Sequence, residues 1–344
     1  MPHSIRLRKS QVGLILMFAL VVCACGSRLP RGCPPSCVGE GLSGRNLNRV
    51  NLSGAQMMDA NLSKSTLVGA DLTGADLSAA NLSEANLESA ILNQSVLVGT
   101  DLSFATLRNT SMDQANLSGA NLRGASLDRV DLTTASMAGV TLDKANLIGS
   151  TLTNQDLSGV QMYQANLSGA DLVDSDMSGA ALSYSDYSGA NLQRSNLSGA
   201  WLSLSRLVGA NLNQGSLAGS ILFGADLTGT DLSGAKLNGA IFIGANLSGA
   251  DLRGADLSGT LLELPLPPDA GSDFSYQDLT GLELQQALLS TELERMFYDP
   301  VIQELNESQL KPLLKDAQLQ GVFYNEATIW PLGFEIPSSA ILVP

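Results

Sequence analysis

A strict period of five residues is the feature that most constrains how this chain folds. From Leu42 to Leu262, every fifth residue is leucine or a large, mainly apolar substitute, 45 times without a slip. The substitutes are Met57, Met112, Met137, Met162, Met177, Tyr187 and Phe242. Two positions before each of them a small residue is the rule, and between positions 55 and 260 only Gln155 is long and polar. Because five matches neither the helical period of 3.6 nor the strand period of 2, the pattern predicts neither an amphipathic helix nor a simple strand.

A unit of five residues is too short to bury its own leucine, so equivalent units must stack above and below it. Glycine occupies the position two after the leucine in 24 of the 45 units, which indicates a recurring turn with positive φ. Asparagine or aspartate commonly precedes the leucine. These residues favour turn edges and form local bonds to the backbone, although a ladder of carboxylates mimicking phosphates is an alternative. The pattern therefore predicts a solenoid.

Units such as Asn116-Leu117-Ser118-Gly119-Ala120 resemble the pentapeptide-repeat family, whose motif is A-[DN]-L-x-x. The resemblance covers about two-thirds of the chain. It implies an all-β solenoid, a right-handed quadrilateral β-helix over residues 41–262 with four pentapeptides per coil. With strands stacked ~4.8 Å apart, the 45 units form about 11 coils and a rod of ~53 Å. A further coil nearer the carboxyl end would bring the total to about 11–12 coils.

The amino terminus resembles a bacterial lipoprotein signal. Arg6, Arg8 and Lys9 precede an apolar run from Val12 to Ala24 that is too short to span a bilayer as a helix. The sequence Val22-Cys23-Ala24-Cys25 then resembles a lipobox, which implies that residues 1–24 are removed and that Cys25 is acylated. An ordinary secretory signal and an uncleaved anchor are the alternatives. We expect export and attachment to the cell envelope through the lipid, on its periplasmic or extracellular side.

Two cysteines follow the signal in a tether predicted over residues 25–40. In an oxidising compartment, Cys33 and Cys37 are candidates for a short disulfide loop, with free or differently paired thiols as the alternative.

One side of the expected rod differs from the other three. With four units per coil, residues twenty apart stack on one side, and one side collects large apolar residues toward its carboxyl end. They are Phe104, Tyr163, Tyr184, Trp201, Leu204, Ile221, Phe223, Ile241, Ile243 and Leu261. An apolar strip of this length predicts a cover. The cover is either the chain's own carboxyl-terminal segment, or a protein partner or second copy. A chance grouping, or a break in the four-per-coil register, is the remaining alternative.

The carboxyl-terminal region departs from the repeat. Residues 263–271 are rich in proline and predict a loop, and residues 272–290 carry the period in a new register and predict one more coil. Residues 291–344 predict a small cap of helix and irregular structure, with a helix beginning at Pro300 after the capping Asp299. Trp330 and Phe334 are expected to anchor that cap on the core.

Composition restricts the function. The formal net charge is −14, which disfavours binding to nucleic acid. His3 is the only histidine and lies in the predicted signal, so Ser-His or Cys-His catalysis and His-ligated metals are excluded from the mature chain. We expect no enzyme, no cofactor, no metal and no small-molecule substrate, but a membrane-anchored scaffold for protein interaction. A DNA-mimicking gyrase inhibitor, which the family resemblance suggests, and an enzyme with a carboxyl-terminal site are the alternatives.

Overall fold

Each pentapeptide forms one side of a four-sided β-helix. The computed structural model describes residues 29–30, 33–262, 300–310, 313, 317–320, 322–331 and 334–343. Parallel bridges join residues twenty apart, beginning with Ser36–Gln56 and continuing to Ile241–Leu261. This spacing confirms the predicted four units per coil. The right-handed sense of the coil stays a prediction.

The inward leucines form one continuous column of core. Leu117 and Ala120 are both fully buried, and the same holds for nearly all leucine and small positions of the repeat. Within the regular part of the stack, the backbone around a leucine bonds to the coils on both sides. For example, the Leu117 amide donates to the Ser136 carbonyl at 2.9 Å, and the Asn116 amide donates to the Ser95 carbonyl at 2.9 Å. A fully buried leucine contributes about 1.5–3 kcal/mol to the stability of the fold. A single unit cannot bury its leucine, so this contribution arises only when units stack.

The corner of each unit is a turn that a side chain stabilises. The residue two after the leucine has positive φ, as at Gly119 with φ of 68°. The asparagine or aspartate before the leucine accepts the amide two residues later, as from Ser118 to Asn116 Oδ1 at 3.1 Å and from Ser83 to Asn81 Oδ1 at 2.9 Å. These contacts support the local turn interpretation of the Asn and Asp residues.

The β-helix begins earlier than the sequence predicted. Ser36 already pairs with Gln56, although the boundary between tether and repeat was predicted at residues 40 and 41. Cys37 is fully buried in the column that leucines fill higher in the rod. The prediction missed this unit because cysteine replaces the leucine that marks the period.

The last coil is completed by residues far along the chain. In a regular unit, the small residue donates its amide to the leucine three positions earlier; after Leu262 that donor is Ala317, at 2.7 Å. Gln318, Phe323 and Ile329 then pair with Asn246, Asp251 and Asp256. Residues 263–316 therefore stand where a two-residue turn stands elsewhere, and part of the predicted cap is β-helix. The predicted loop 263–271 and coil 272–290 lie outside the described residues.

Short elements accompany this closure. Helix α1 spans Pro300–Glu304, and helix α2 spans Glu307–Leu310. Strand β1 (Phe323–Tyr324) pairs in parallel with β2 (Ile341–Leu342), which adds a further layer on one side. Helix α1 begins at Pro300, where the sequence predicted a helix start. Among the helices described, none has the length and apolar character needed to cross a membrane.

Aromatic side chains close the carboxyl end of the core. Trp330 stacks on Phe334 with ring centroids 5.4 Å apart, and Tyr324 meets Trp330 edge-on at 5.7 Å. Trp330 and Phe334 are partly buried and pack against the core, as expected of anchors for the cap.

The ladder is interrupted in the middle of the rod. Between residues 36 and 262, only the bridges Ser111–Asp131 and Ser136–Asp156 are missing from the series. Gln155 Nε2 donates to the carbonyls of Leu132 and Thr133 at 3.0 and 2.8 Å. The long polar side chain that interrupts the small-residue pattern therefore supplies hydrogen bonds where the regular ladder is broken.

Candidate interaction surface

The apolar side predicted from the sequence is a real surface of the rod. We call it the apolar face, and it comprises the outward residues of the stacked units that begin at residues 101, 121, 141 and so on to 261. Bridges Trp201–Ile221, Ile221–Ile241 and Ile241–Leu261 place its members in register on successive coils. The ten predicted residues therefore share one side, but they differ sharply in burial.

The carboxyl-terminal part of the apolar face is covered. The side chains of Ile221, Phe223, Ile241 and Ile243 are buried although they point out of the β-helix. Leu313 lies over this part: a Cβ placed on Gly224 would lie 3.4 Å from Leu313 Cδ2, and one placed on Gly244 would overlap the Leu313 carbonyl oxygen. The chain thus returns across its own apolar face before it completes the last coil.

The amino-terminal and middle parts of the apolar face are open to solvent. Phe104 is 57% exposed and Tyr184 is 38% exposed, whereas Tyr163, Trp201, Leu204 and Leu261 are half-buried. Tyr163 and Tyr184, one coil apart, meet edge-on with ring centroids 5.7 Å apart. The chain therefore covers the carboxyl-terminal part of the apolar face, and the part nearer the amino terminus is exposed; binding of a partner there stays a prediction.

Three large apolar residues on this face occupy a strained backbone conformation. Phe104, Tyr184 and Leu204 have φ of 58°, 60° and 59°, at turn positions that glycine fills most often. On the other three sides of residues 33–262, the non-glycine residues at such turns are polar, apart from Ala79. Left-handed φ is costly for bulky side chains. Within residues 33–262, large apolar side chains therefore occur at this turn on one side only.

Several carboxylates of the rod make local hydrogen bonds and ion pairs. Arg194 donates to both oxygens of Asp174, and this hydrogen bonding lowers the pKa of that carboxyl. Hydrogen bonds from Arg253 likewise lower the pKa of Asp251. At Asp128, burial acts to raise the pKa, but bonds from Ser126 and Arg108 outweigh it and lower the pKa. These contacts assign the carboxylates to turns and ion pairs of the coil surface.

Of the three predicted cysteine sites, the structure describes two. Cys33 and Cys37 are joined through their sulfur atoms, with Cα atoms 4.9 Å apart. Cys25 and the whole predicted signal lie outside the described residues. Within the described part of the chain, no cluster of three or more His, Cys, Asp or Glu side chains is arranged to hold a metal ion.

The sequence reasoning missed how the rod ends. Ala317-Gln318-Leu319 repeats the small–polar–leucine order of the regular unit and was the available signal for the closing coil. Apolar residues exposed at this end, among them Phe323, Ile329 and Leu342, were not predicted. They follow no period of five, so the pattern that identified the apolar face does not reveal them.

The stacked coils agree with comparison to known families. The profile described as Pentapeptide repeats matches residues 42–74, 55–94, 95–133, 135–174, 175–214 and 220–259. The chain belongs to the pentapeptide-repeat family. The match and the ladder of parallel bridges identify the same body, a β-solenoid built from five-residue units. No curated protein matches the chain.

Solved structures of similar proteins include members of the same family. HetL, a pentapeptide repeat protein involved in heterocyst differentiation regulation from the cyanobacterium Nostoc sp. strain PCC 7120, is 36% identical. That alignment covers 66% of this chain and 91% of HetL, with a TM-score of 0.34. A pentapeptide repeat protein from the Arabidopsis thaliana thylakoid lumen is 27% identical, with coverage of 33% and 69% and a TM-score of 0.24. QnrB1, a plasmid-mediated fluoroquinolone resistance protein, is 20% identical, with coverage of 56% and 91% and a TM-score of 0.26.

Proposed function

We propose that this pentapeptide-repeat protein is an exported, non-catalytic scaffold, held at an envelope membrane by a lipid on Cys25. The carrying observation is the arrangement of its four cysteines. Cys25 stands in a lipobox-like sequence, and the disulfide between Cys33 and Cys37 follows within a few residues. Disulfides persist in oxidising compartments outside the cytoplasm, which supports export. Several acyl chains give stable attachment, since each buried methylene contributes ~0.8 kcal/mol.

The form of the rod supports a role in protein interaction. Its inward positions are filled by leucine and small residues, so each coil offers a solid core and four outward sides. Any contact of the rod with another molecule therefore uses the side chains that project outward from its four sides. The open part of the apolar face, around Phe104, has the exposed aromatic character that protein-binding surfaces favour. This function suits a rigid body that presents a surface to a protein partner.

The anchor is tested by Cys25→Ala in the full-length chain. We expect the wild-type protein to be processed in a globomycin-sensitive manner and to partition into the detergent phase, and the variant to lose both properties. Cys23→Ala is the matched control, because Cys23 lies two residues away and has the bulky Val22 at the position where cleavage would occur. It should retain processing and partitioning. Membrane attachment that survives Cys25→Ala contradicts the proposal.

A further inference from the structure

The charges of the mature chain are distributed unevenly along the rod. Residues 25–64 contain five basic and two acidic side chains. Residues 65–262 contain eight basic and 18 acidic side chains, and residues 263–344 contain three and 13. The end next to the proposed anchor is therefore net positive, while everything beyond it is strongly negative.

The positive charges in the first coils reach solvent. Arg45, Arg49 and Lys64 are exposed on the first two coils, and Arg28 and Arg31 precede them in the sequence. Lys64 forms a 3.6 Å ion pair with Glu84, but both side chains are more than half exposed, so water screens this contact. Val38, 47% exposed, adds an apolar side chain in the first unit.

The connection to the anchor is short. Cys33 is the eighth residue after Cys25, a distance that a fully extended chain spans in at most about 28 Å. The stacked coils extend over roughly 55 Å, at ~4.8 Å per coil. A lipid on Cys25 thus keeps the positive coils near the membrane, while the acidic coils have room to approach the membrane or to point away.

We infer that the first two coils bind an anionic lipid surface and that the acidic remainder of the rod is held away from it, so that the rod stands upright on the membrane. This inference rests on the proposed lipid anchor. Each basic residue near an anionic surface favours association about fivefold, within a Debye length of about 8–10 Å. The acidic coils are repelled by the same surface. Both effects select the same orientation.

The test uses the lipidated full-length protein reconstituted in vesicles, with fluorescent acceptors in the lipid. A donor is attached through Ser43→Cys near the anchored end or through Ser258→Cys in the last regular coil, both exposed positions. The vesicles contain either phosphatidylcholine alone or equal parts of phosphatidylcholine and phosphatidylglycerol. On the anionic vesicles, we expect transfer from the distal donor to fall about twofold relative to the neutral vesicles, and transfer from the proximal donor to stay high. Salt at about 1 M, which shortens the Debye length to about 3 Å, should abolish the difference.

Two charge variants test whether the orientation depends on the basic residues of the first coils or only on the net charge of the protein. Arg45→Gln combined with Arg49→Gln should remove most of the lipid dependence at the distal donor. The matched control, Arg206→Gln combined with Lys236→Gln, removes the same charge from exposed distal positions and should leave that dependence intact or larger.

The outcomes separate this inference from the anchor. If energy transfer from the distal donor is the same on both vesicle types, whether high or low, the upright orientation is wrong. The basic end would then be a site for another partner, such as an acidic protein. The same holds if the Arg45/Arg49 variant and its control respond alike. Protein that fails to remain with either vesicle type contradicts the anchor itself.

Discussion

Substitution of Gly244 by alanine tests whether the chain's return across the apolar face stabilises the rod. Gly244 has φ of 70° and lies beneath Leu313, so that an added Cβ overlaps the Leu313 carbonyl oxygen and lies 3.3 Å from the carbonyl carbon. Backbone atoms do not move aside as a flexible side chain does. Gly244→Ala must therefore lift Leu313 from the coil.

Gly249 provides a control with the same backbone strain. It also has φ of 70°, but nothing lies within 4 Å of a Cβ built there. Both alanine variants lose about 1 kcal/mol to the left-handed conformation. Gly244→Ala additionally uncovers parts of Phe223 and Ile243, which are fully buried in the wild type. Since full exposure of one such side chain costs about 1.5–3 kcal/mol, we expect an additional loss of about 2 kcal/mol.

Urea denaturation monitored by circular dichroism measures the free energy of unfolding of both variants, and binding of the dye ANS reports newly exposed apolar surface. We expect Gly249→Ala to bind no more dye than the wild type, and Gly244→Ala to bind more. If the two variants show equal unfolding free energies and equal dye binding, the cover over Phe223 and Ile243 does not stabilise the fold.

Three further predictions concern the core and the turns. Tyr187→Phe should leave the unfolding free energy unchanged or raise it by up to about 1 kcal/mol, because among the described residues the fully buried hydroxyl finds only the sulfur of Met162 as a hydrogen-bond partner, at 3.9 Å. Thermal denaturation checks this, and a marked loss contradicts it. Gln155→Ala should cost about 1–3 kcal/mol in the same measurement, although alanine is the commonest residue at equivalent positions, because the Thr133 carbonyl loses the Gln155 donor and the Leu132 carbonyl keeps only the amide of Ala135. An unchanged value shows that the interrupted ladder needs no support. The free energy of unfolding should fall as pH falls below about 4, because bonds from Ser158 and Arg253 lower the folded-state pKa of Asp156 and Asp251. The stability that these two carboxylates contribute is complete above the unfolded-state pKa of about 3.9, and it is lost as pH falls through the lower folded-state values. An acid titration of the thermal midpoint that stays flat from pH 6 to pH 2 contradicts this assignment.

Most of the β-helix was predictable because the constraint repeats in every unit. A leucine every five residues defines which side chain is buried, and positive φ two residues later defines the corner, as at Leu117 and Gly119. The common side of the apolar residues followed from counting four units per coil. Periodic sequence thus determined both the core and the shared face.

The ends of the rod were not predictable in the same way. Cysteine occupies the buried leucine position at Cys37. The unit that contains Leu262 is completed by Ala317, 55 residues later in the sequence. Which part of the apolar face is covered depends on where Leu313 returns, and that contact is neither local nor periodic. Pattern analysis detects repetition along the chain, whereas these contacts join distant segments once only.

The hydrogen bond between Ala317 and Leu262 also has a consequence for how this protein can change over evolution. Because the two ends of the excursion meet as closely as the ends of an ordinary corner, the register of the coils does not depend on its length. Sequence can be gained or exchanged at this corner while the stack keeps its register, provided that the segment around Leu313 still covers Phe223 and Ile243. A family of rods with one architecture can thereby acquire different side attachments at a single point.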